Sequence, residues 1–356
     1  MAKFGKIIFW GFPTVLFIFP GSRDTVGLVF FYLERRALVF SDQNHEFWCR
    51  CSKSTTVVRE MATRHLCPDL SGARVQGVKK GRRSSPENYR PVSLTSICCK
   101  INEHIIVSQT MNHLEKNNIL VDYQHGFRRR RSCESQLLIT SHDLATILNK
   151  RSQVDVAVLD FAKAFDKVPH QRLIKKLQYY NLDKKVVGWI QSFLSKRTQS
   201  VVVDGHTSTS APVLSGVPQG TVLGPLLFLL FINDIANNVT SSIRLFADDC
   251  LVYRETRKKE ECELLQKDLD ELVSWSKTWG MAFNVKKCNI VSITNAKKNR
   301  QRHSYHMDDQ PIKSIDNTPY LGVNINKDAG IPIPYHKKMP TEAEREILQD
   351  HSPSET

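Results

Sequence analysis

Two adjacent carboxylates, Asp248 and Asp249, sit between the short apolar runs Ile243-Arg244-Leu245-Phe246-Ala247 and Cys250-Leu251-Val252-Tyr253. An acidic pair at a hairpin tip repels itself, and a fold keeps it there when cations neutralise it. A third carboxylate, Asp160, ends the strand-like run Val154-Asp155-Val156-Ala157-Val158-Leu159 and opens Phe161-Ala162-Lys163-Ala164-Phe165-Asp166. Three carboxylates delivered from two strand ends suit a two-metal phosphoryl-transfer site. Taken alone, an Asp-Asp pair is more often an ordinary turn, so the elements that carry it decide.

Those elements alternate between helical and strand-like patterns, as in an α+β or α/β domain. Helical periodicity covers 97–117, 135–150, 171–181 and 184–194. Residues 200–203 and 211–214 flank Gly205 and predict a hairpin. Pro225 opens a run, Leu226-Leu227-Phe228-Leu229-Leu230-Phe231-Ile232, whose all-round apolarity predicts a buried helix. A long amphipathic helix is expected over 258–279, closed by Gly280.

The composition, 41% apolar over 356 residues, excludes a disordered chain and is enough for a large core. A net charge of +14, with basic runs at Lys79-Lys80-Gly81-Arg82-Arg83, Arg128 to Arg131 and Lys297-Lys298-Asn299-Arg300-Gln301-Arg302, points to a polyanionic partner. Nine scattered cysteines without a CxxC pair indicate neither a disulfide framework nor a zinc site. The apolar run Ile7 to Phe19 behind Lys3 and Lys6 has the outline of a leader, but it is too short to span a bilayer and Pro13 interrupts it. A large basic domain with free thiols fits the cytoplasm and nucleus better than a secretory route, and no stable membrane association is expected.

The order of motifs carries more. Asn88-Tyr89-Arg90-Pro91-Val92-Ser93-Leu94, Gln124-His125-Gly126-Phe127-Arg128, the Asp160 to Asp166 segment, Ser215-Gly216-Val217-Pro218-Gln219-Gly220, Phe246-Ala247-Asp248-Asp249, Gly280 to Cys288 and Tyr320-Leu321-Gly322-Val323 follow one another. They closely resemble the successive motifs of the reverse transcriptase domain of non-LTR, LINE-type, jockey-like retrotransposons. The resemblance covers about residues 78 to 325.

The resemblance implies a right-hand polymerase palm and fingers, with an antiparallel palm sheet backed by helices. It makes Asp160, Asp248 and Asp249 the metal-holding carboxylates for two Mg²⁺ ions, with Mn²⁺ as a substitute, and gives Asp166 no metal role. It places Phe161, Phe165, Gln219 and Gly220 at the nucleotide. Phe165 resembles the aromatic gate against a 2′-hydroxyl, although on sequence alone core packing is the stronger reading. The backbone amide of Lys163 falls near the triphosphate. Arg128 resembles the fingers arginine that grips the triphosphate, a task suited to a guanidinium fork, with Arg129 to Arg131 leaving the register open. Lys287, next to Lys286, matches the lysine that protonates pyrophosphate, and Tyr320, Leu321 and Gly322 match the primer-grip turn. The implied partners are an RNA template, a DNA primer and a deoxynucleoside triphosphate.

Residues 1–75 carry no motif and read as a separate, poorly patterned segment, 76–325 as the polymerase domain, and 326–356 as a disordered tail. The upstream endonuclease, the helical thumb and the Cys/His module of such elements are not recognisable, so a thumb-truncated fragment is expected. Two alternatives share these features: a group II intron maturase-like or telomerase-like polymerase, and an inactive or domesticated nucleic-acid-binding relic.

Overall fold

The computed structural model describes residues 97–200, 206–295 and 300–328, with Thr95, Val202–Val203 and the strands named below between residues 14 and 93. The chain divides into two units, Met1–Cys67 and Pro68–Thr356.

In the first unit, β1 (Thr14–Pro20), β2 (Val26–Tyr32), β3 (Val39–Asp42) and β4 (His45–Trp48) form an antiparallel meander. Its register pairs Val15 with Phe31 and Phe40 with Phe47. The segment read from sequence as separate and poorly patterned thus holds a meander. Short unbroken apolar runs look alike as strand, buried helix or leader, because periodicity cannot separate them. No helix among the described residues is long and apolar enough to cross a membrane. The expected tail at 326–356 lies outside the described residues beyond Asp328, as do the first basic run, 79–83, and the 297–299 part of the third.

The second unit opens with the antiparallel pair β5 (Ala73–Val78) and β6 (Tyr89–Ser93), followed by α1 (Ile97–Lys116) and α2 (Cys133–Asn149). Strand β7 (Gln153–Leu159) is buried along almost its whole length because it is central and covered on both faces. A short helix α3 (Ala164–Lys167), then α4 (His170–Tyr179) and α5 (Lys184–Leu194), follow it. The predicted hairpin near residue 205 is a nested pair of ladders. Strand β9 (Val202–Val203) pairs with β10 (His206–Thr207), and β8 (Thr198–Gln199) pairs with β11 (Ala211–Pro212).

Helix α6 (Leu223–Ile232) is buried on all sides. Strands β12 (Ser242–Phe246) and β13 (Asp249–Glu255) form the hairpin that carries the acidic pair. Helix α7 (Lys259–Trp279) ends at Gly280, whose φ of 73° is the left-handed cap a glycine adopts without a Cβ clash.

Strand β14 (Asn289–Thr294) lies beyond it, and the sheet order is β12-β13-β7-β14 with a short edge strand, Lys313–Ser314. The main ladders are antiparallel, as expected, while the edge strand pairs parallel to β14. The terminal hairpin joins Asn317–Tyr320 to Val323–Asn326. On one sheet face, Val154, Val156, Leu251, Tyr253, Val291 and Ile293 pack against Leu137 and Leu144 of α2 and Tyr320 and Ile325 of that hairpin. Period-two alternation puts these side chains inward together.

Candidate active site

The ladder between β13 and β7 runs to the pair Cys250 and Leu159. The next residues on the two strands, Asp249 and Asp160, therefore come side by side at the sheet end, with Asp248 in the adjoining turn. Asp248 is half-buried and Asp249 exposed. Asp160 is held through its backbone: its carbonyl accepts from Asn284 N at 2.7 Å, and Ala162 N donates to Ala282 O at 2.8 Å. The Gly280 to Cys288 motif thus forms the wall beside Asp160.

From that wall, Lys287 Nζ faces Asp160 Oδ2 at 3.5 Å, and both Lys287 and the neighbouring Lys286 are exposed. Asp160 Oδ2 is shielded from solvent and accepts no hydrogen bond, so it has an unspent lone pair of the kind a hard cation takes. Among the described residues, no three His, Cys, Asp or Glu side chains are gathered to hold a metal ion as they stand. Beneath this corner, burial pushes the Cys288 thiol up to about 11, so Cys288 packs as a neutral side chain behind Asp160.

The segments that follow Asp160 and precede α6 are laced together. Val217 N donates to Phe165 O at 2.7 Å, Gly216 N to Val168 O at 2.8 Å, and Gln219 Nε2 to Asp166 Oδ1 at 2.8 Å. Asp166 thereby fixes Gln219, in keeping with a structural task. Gly220 takes a φ of 84°, and a Cβ there would meet Val92 Cγ1 at 2.8 Å, so only glycine fits this close approach to β6. The Phe165 ring stacks on Phe228 of α6 with centroids 4.4 Å apart, while exposed Phe127 approaches its edge at 6.4 Å. Core packing and a half-exposed wall are both present in one ring. Lys163 is exposed in a left-handed conformation at the start of α3.

Other expected residues are placed differently. Phe161 is 4% exposed, stacked on Phe283 and edge-on to Trp275, so its ring belongs to the core and only its backbone borders the site. Arg128 donates to Val121 O at 2.6 Å and is half-buried, which lowers its guanidinium pKa by desolvation, with Arg131 adding to the effect. Arg131 pairs with Asp122 at 2.8 Å, while Arg129 and Arg130 are exposed. Tyr320 is buried, with its hydroxyl accepting from Gln136 Nε2 at 3.0 Å. The tip of that hairpin is Leu321 and Gly322, both at positive φ, and Gly322 is exposed.

Two positioning residues escaped sequence reasoning. Glu103 of α1, fully buried, accepts from the amides of Val222 and Leu223 at 2.7 and 2.9 Å and so caps the start of α6. Gln124 bonds to the backbone of the acidic turn at Ala247. Only the second left a trace, its place in the Gln124 to Arg128 motif.

Comparison with known proteins agrees with this geometry. The family model described as reverse transcriptase (RNA-dependent DNA polymerase) matches residues 78–325. A probable RNA-directed DNA polymerase from transposon X-element of Drosophila melanogaster is 29% identical over 248 residues, covering 68% of this chain and 27% of the relative. The RNA-directed DNA polymerase from mobile element jockey of Drosophila funebris is 32% identical over 219 residues, covering 59% and 24%. The chain thus spans about a quarter of the length of these relatives. A solved telomerase of Candida tropicalis, in complex with a fragment of telomeric RNA, superposes with a TM-score of 0.51 at 11% identity over 84% of this chain and 51% of that one, which is likeness of fold. With a matched family model over most of its length and the acidic corner assembled from that family's motifs, the chain belongs to the reverse transcriptase (RNA-dependent DNA polymerase) family.

Proposed function

We propose that residues 76–325 are the polymerase module of a non-LTR retrotransposon protein that copies an RNA template into DNA. The reaction is transfer of a deoxynucleotide from its triphosphate to a DNA primer 3′-hydroxyl, with pyrophosphate leaving. The observation that carries this reading is the meeting of Asp160 and the Asp248-Asp249 turn at adjacent strand ends, with Lys287 Nζ 3.5 Å from Asp160.

Asp160, Asp248 and Asp249 would hold two Mg²⁺ or Mn²⁺ ions, which when bound supply Lewis-acid activation of the hydroxyl and neutralise phosphoryl charge. Lys287 would deliver a proton to the departing pyrophosphate. Arg128, once released from the Val121 carbonyl, would bring a fork of donors to the triphosphate. Phe165 would limit room at the sugar, and Gln219, held by Asp166, would line the base. The Tyr320 to Gly322 turn would steady the primer end. Basic loops would bind template and primer backbone, and such a protein would act in the cytoplasm and nucleus.

The test is primer extension on an RNA template by the full chain and by Asp248→Ala. The variant should lose Mg²⁺-dependent extension yet bind RNA as the parent does, and equal extension by both proteins would refute the assignment. A second reading is a nucleic-acid-binding relic of such a domain. RNA binding by the parent without any extension would select it.

A further inference from the structure

The turn that carries the acidic pair has an unusual hinge. Ala247, immediately before Asp248, takes a φ of 53°, a left-handed backbone that an L side chain seldom adopts. Something must hold it there, and the groups that do so come from more than a hundred residues upstream. Gln124, 3% exposed, accepts from Ala247 N at 2.9 Å and from Gly126 N at 2.7 Å through the same oxygen, and its Nε2 lies 3.4 Å from Ala247 O. One amide side chain thus engages both polar groups of the hinge residue.

The surrounding backbone makes the engagement rigid. Gln124 forms a parallel bridge with Leu245, in which His125 N donates to Leu245 O at 2.9 Å and Leu245 N donates to Tyr123 O at 2.8 Å. Gly126 then presses on the hinge so closely that a Cβ would stand 2.3 Å from Ala247 N. The segment behaves as a short extra strand on β12, ending in an amide aimed at the turn.

We infer that Gln124 is a positioning residue for catalysis: its amide locks the left-handed Ala247 peptide and so aims Asp248 at the reaction centre. The inference rests on the polymerase reading of the acidic corner and deepens it. Rotation about the Ala247 backbone is the motion that re-aims Asp248 while leaving the β12 and β13 ladder in place. A buried amide that stops this rotation acts on metal geometry, as outer partners of ligating groups do. The same segment leads within two residues to Arg128, so the triphosphate grip and the acidic turn share one support.

The experiment compares the parent with Gln124→Met, which keeps the volume and removes the three contacts. Three quantities are read: amide hydrogen exchange over 246–249, the Mg²⁺ concentration for half-maximal primer extension, and Mn²⁺ binding followed by electron paramagnetic resonance. Exchange in the turn should accelerate about tenfold, and the half-maximal Mg²⁺ and the Mn²⁺ dissociation constant should rise by about the same factor. Exchange elsewhere in β12 and β13, and RNA affinity, should stay as in the parent. Parent-like turn exchange overturns the inference, and so does faster exchange with unchanged metal dependence. If Gln124→Met does not fold, Gln124→Asn, which keeps the amide but falls one methylene short of the two N–H groups, is judged by the same readings. A parent that extends no primer counts against the polymerase reading, while exchange and Mn²⁺ binding still decide the part played by Gln124.

Discussion

Lys287 Nζ stands 3.5 Å from Asp160 Oδ2, an oxygen that accepts no hydrogen bond and is shielded from solvent although the side chain as a whole is partly exposed. An exposed pair of this kind adds at most about 1 kcal/mol to stability, so its placement bears on chemistry more than on folding. Charge and proton donation can be told apart. Lys287→Met should slow single-turnover incorporation by about a hundredfold with an unchanged melting temperature. Lys287→Arg keeps the charge but holds its proton, so it should remain slow. Full activity in the arginine variant would show that Lys287 acts by charge alone.

Phe165 has contacts that bear on both roles that sequence reading sets against each other. One face of its ring stacks on Phe228 in the buried helix α6, and its edge meets exposed Phe127. Phe165→Val should therefore lose about 1–3 kcal/mol of stability through the emptied contact with Phe228. It should also accept ribonucleotides at a rate closer to that for deoxynucleotides, because the lost ring leaves room for a 2′-hydroxyl. Urea unfolding and single-nucleotide incorporation measure the two effects. A drop in stability with unaltered sugar selectivity would retire the gate and leave the packing role.

The parts of this architecture that were legible in the sequence are those with a local signature. The acidic hairpin declares itself because two carboxylates interrupt apolar runs, α6 because it has no polar face, and α7 because its apolar stripe ends at Gly280. Strand β14 was not anticipated, since Asn289 to Thr294 follows a motif that draws the eye to Lys287 and Cys288. The inward turn of the Phe161 ring has no signature at all, because an aromatic beside a catalytic carboxylate reads the same whether it faces the core or a ligand. Glu103 and Gln124 were illegible as supports for a different reason. A side chain that satisfies backbone groups more than a hundred positions away is specified by tertiary packing, and no window of sequence contains both partners.

Lys176 of α4 offers a test of the palm interior that is independent of activity. It is 2% exposed, donates to Phe231 O and to Asp234, and lies 3.7 Å from the centroid of the Trp279 ring and 4.8 Å from that of Trp275. The rings and Asp234 favour the ammonium form, but burial outweighs them and pushes the pKa down from 10.5 to about 8. Below about pH 8 both folded and unfolded chains carry the proton, and the fold bears the full cost of the buried charge. Between about pH 8 and the ordinary lysine range the unfolded chain holds a proton that the folded chain has lost, so stability rises with pH by at most about 1.4 kcal/mol per unit. Urea unfolding at about pH 7.5 and about pH 9.5, for the parent and for Lys176→Met, isolates this group, because every other titration is common to both proteins. The parent should gain stability relative to the variant over that interval. A parent that loses ground to Lys176→Met as pH rises would mean that the ion pair with Asp234 and the rings of Trp275, Trp279 and Phe231, the last with its centroid 4.9 Å from Nζ, outweigh desolvation, and that Lys176 holds the base of α6 as a charge through the whole range.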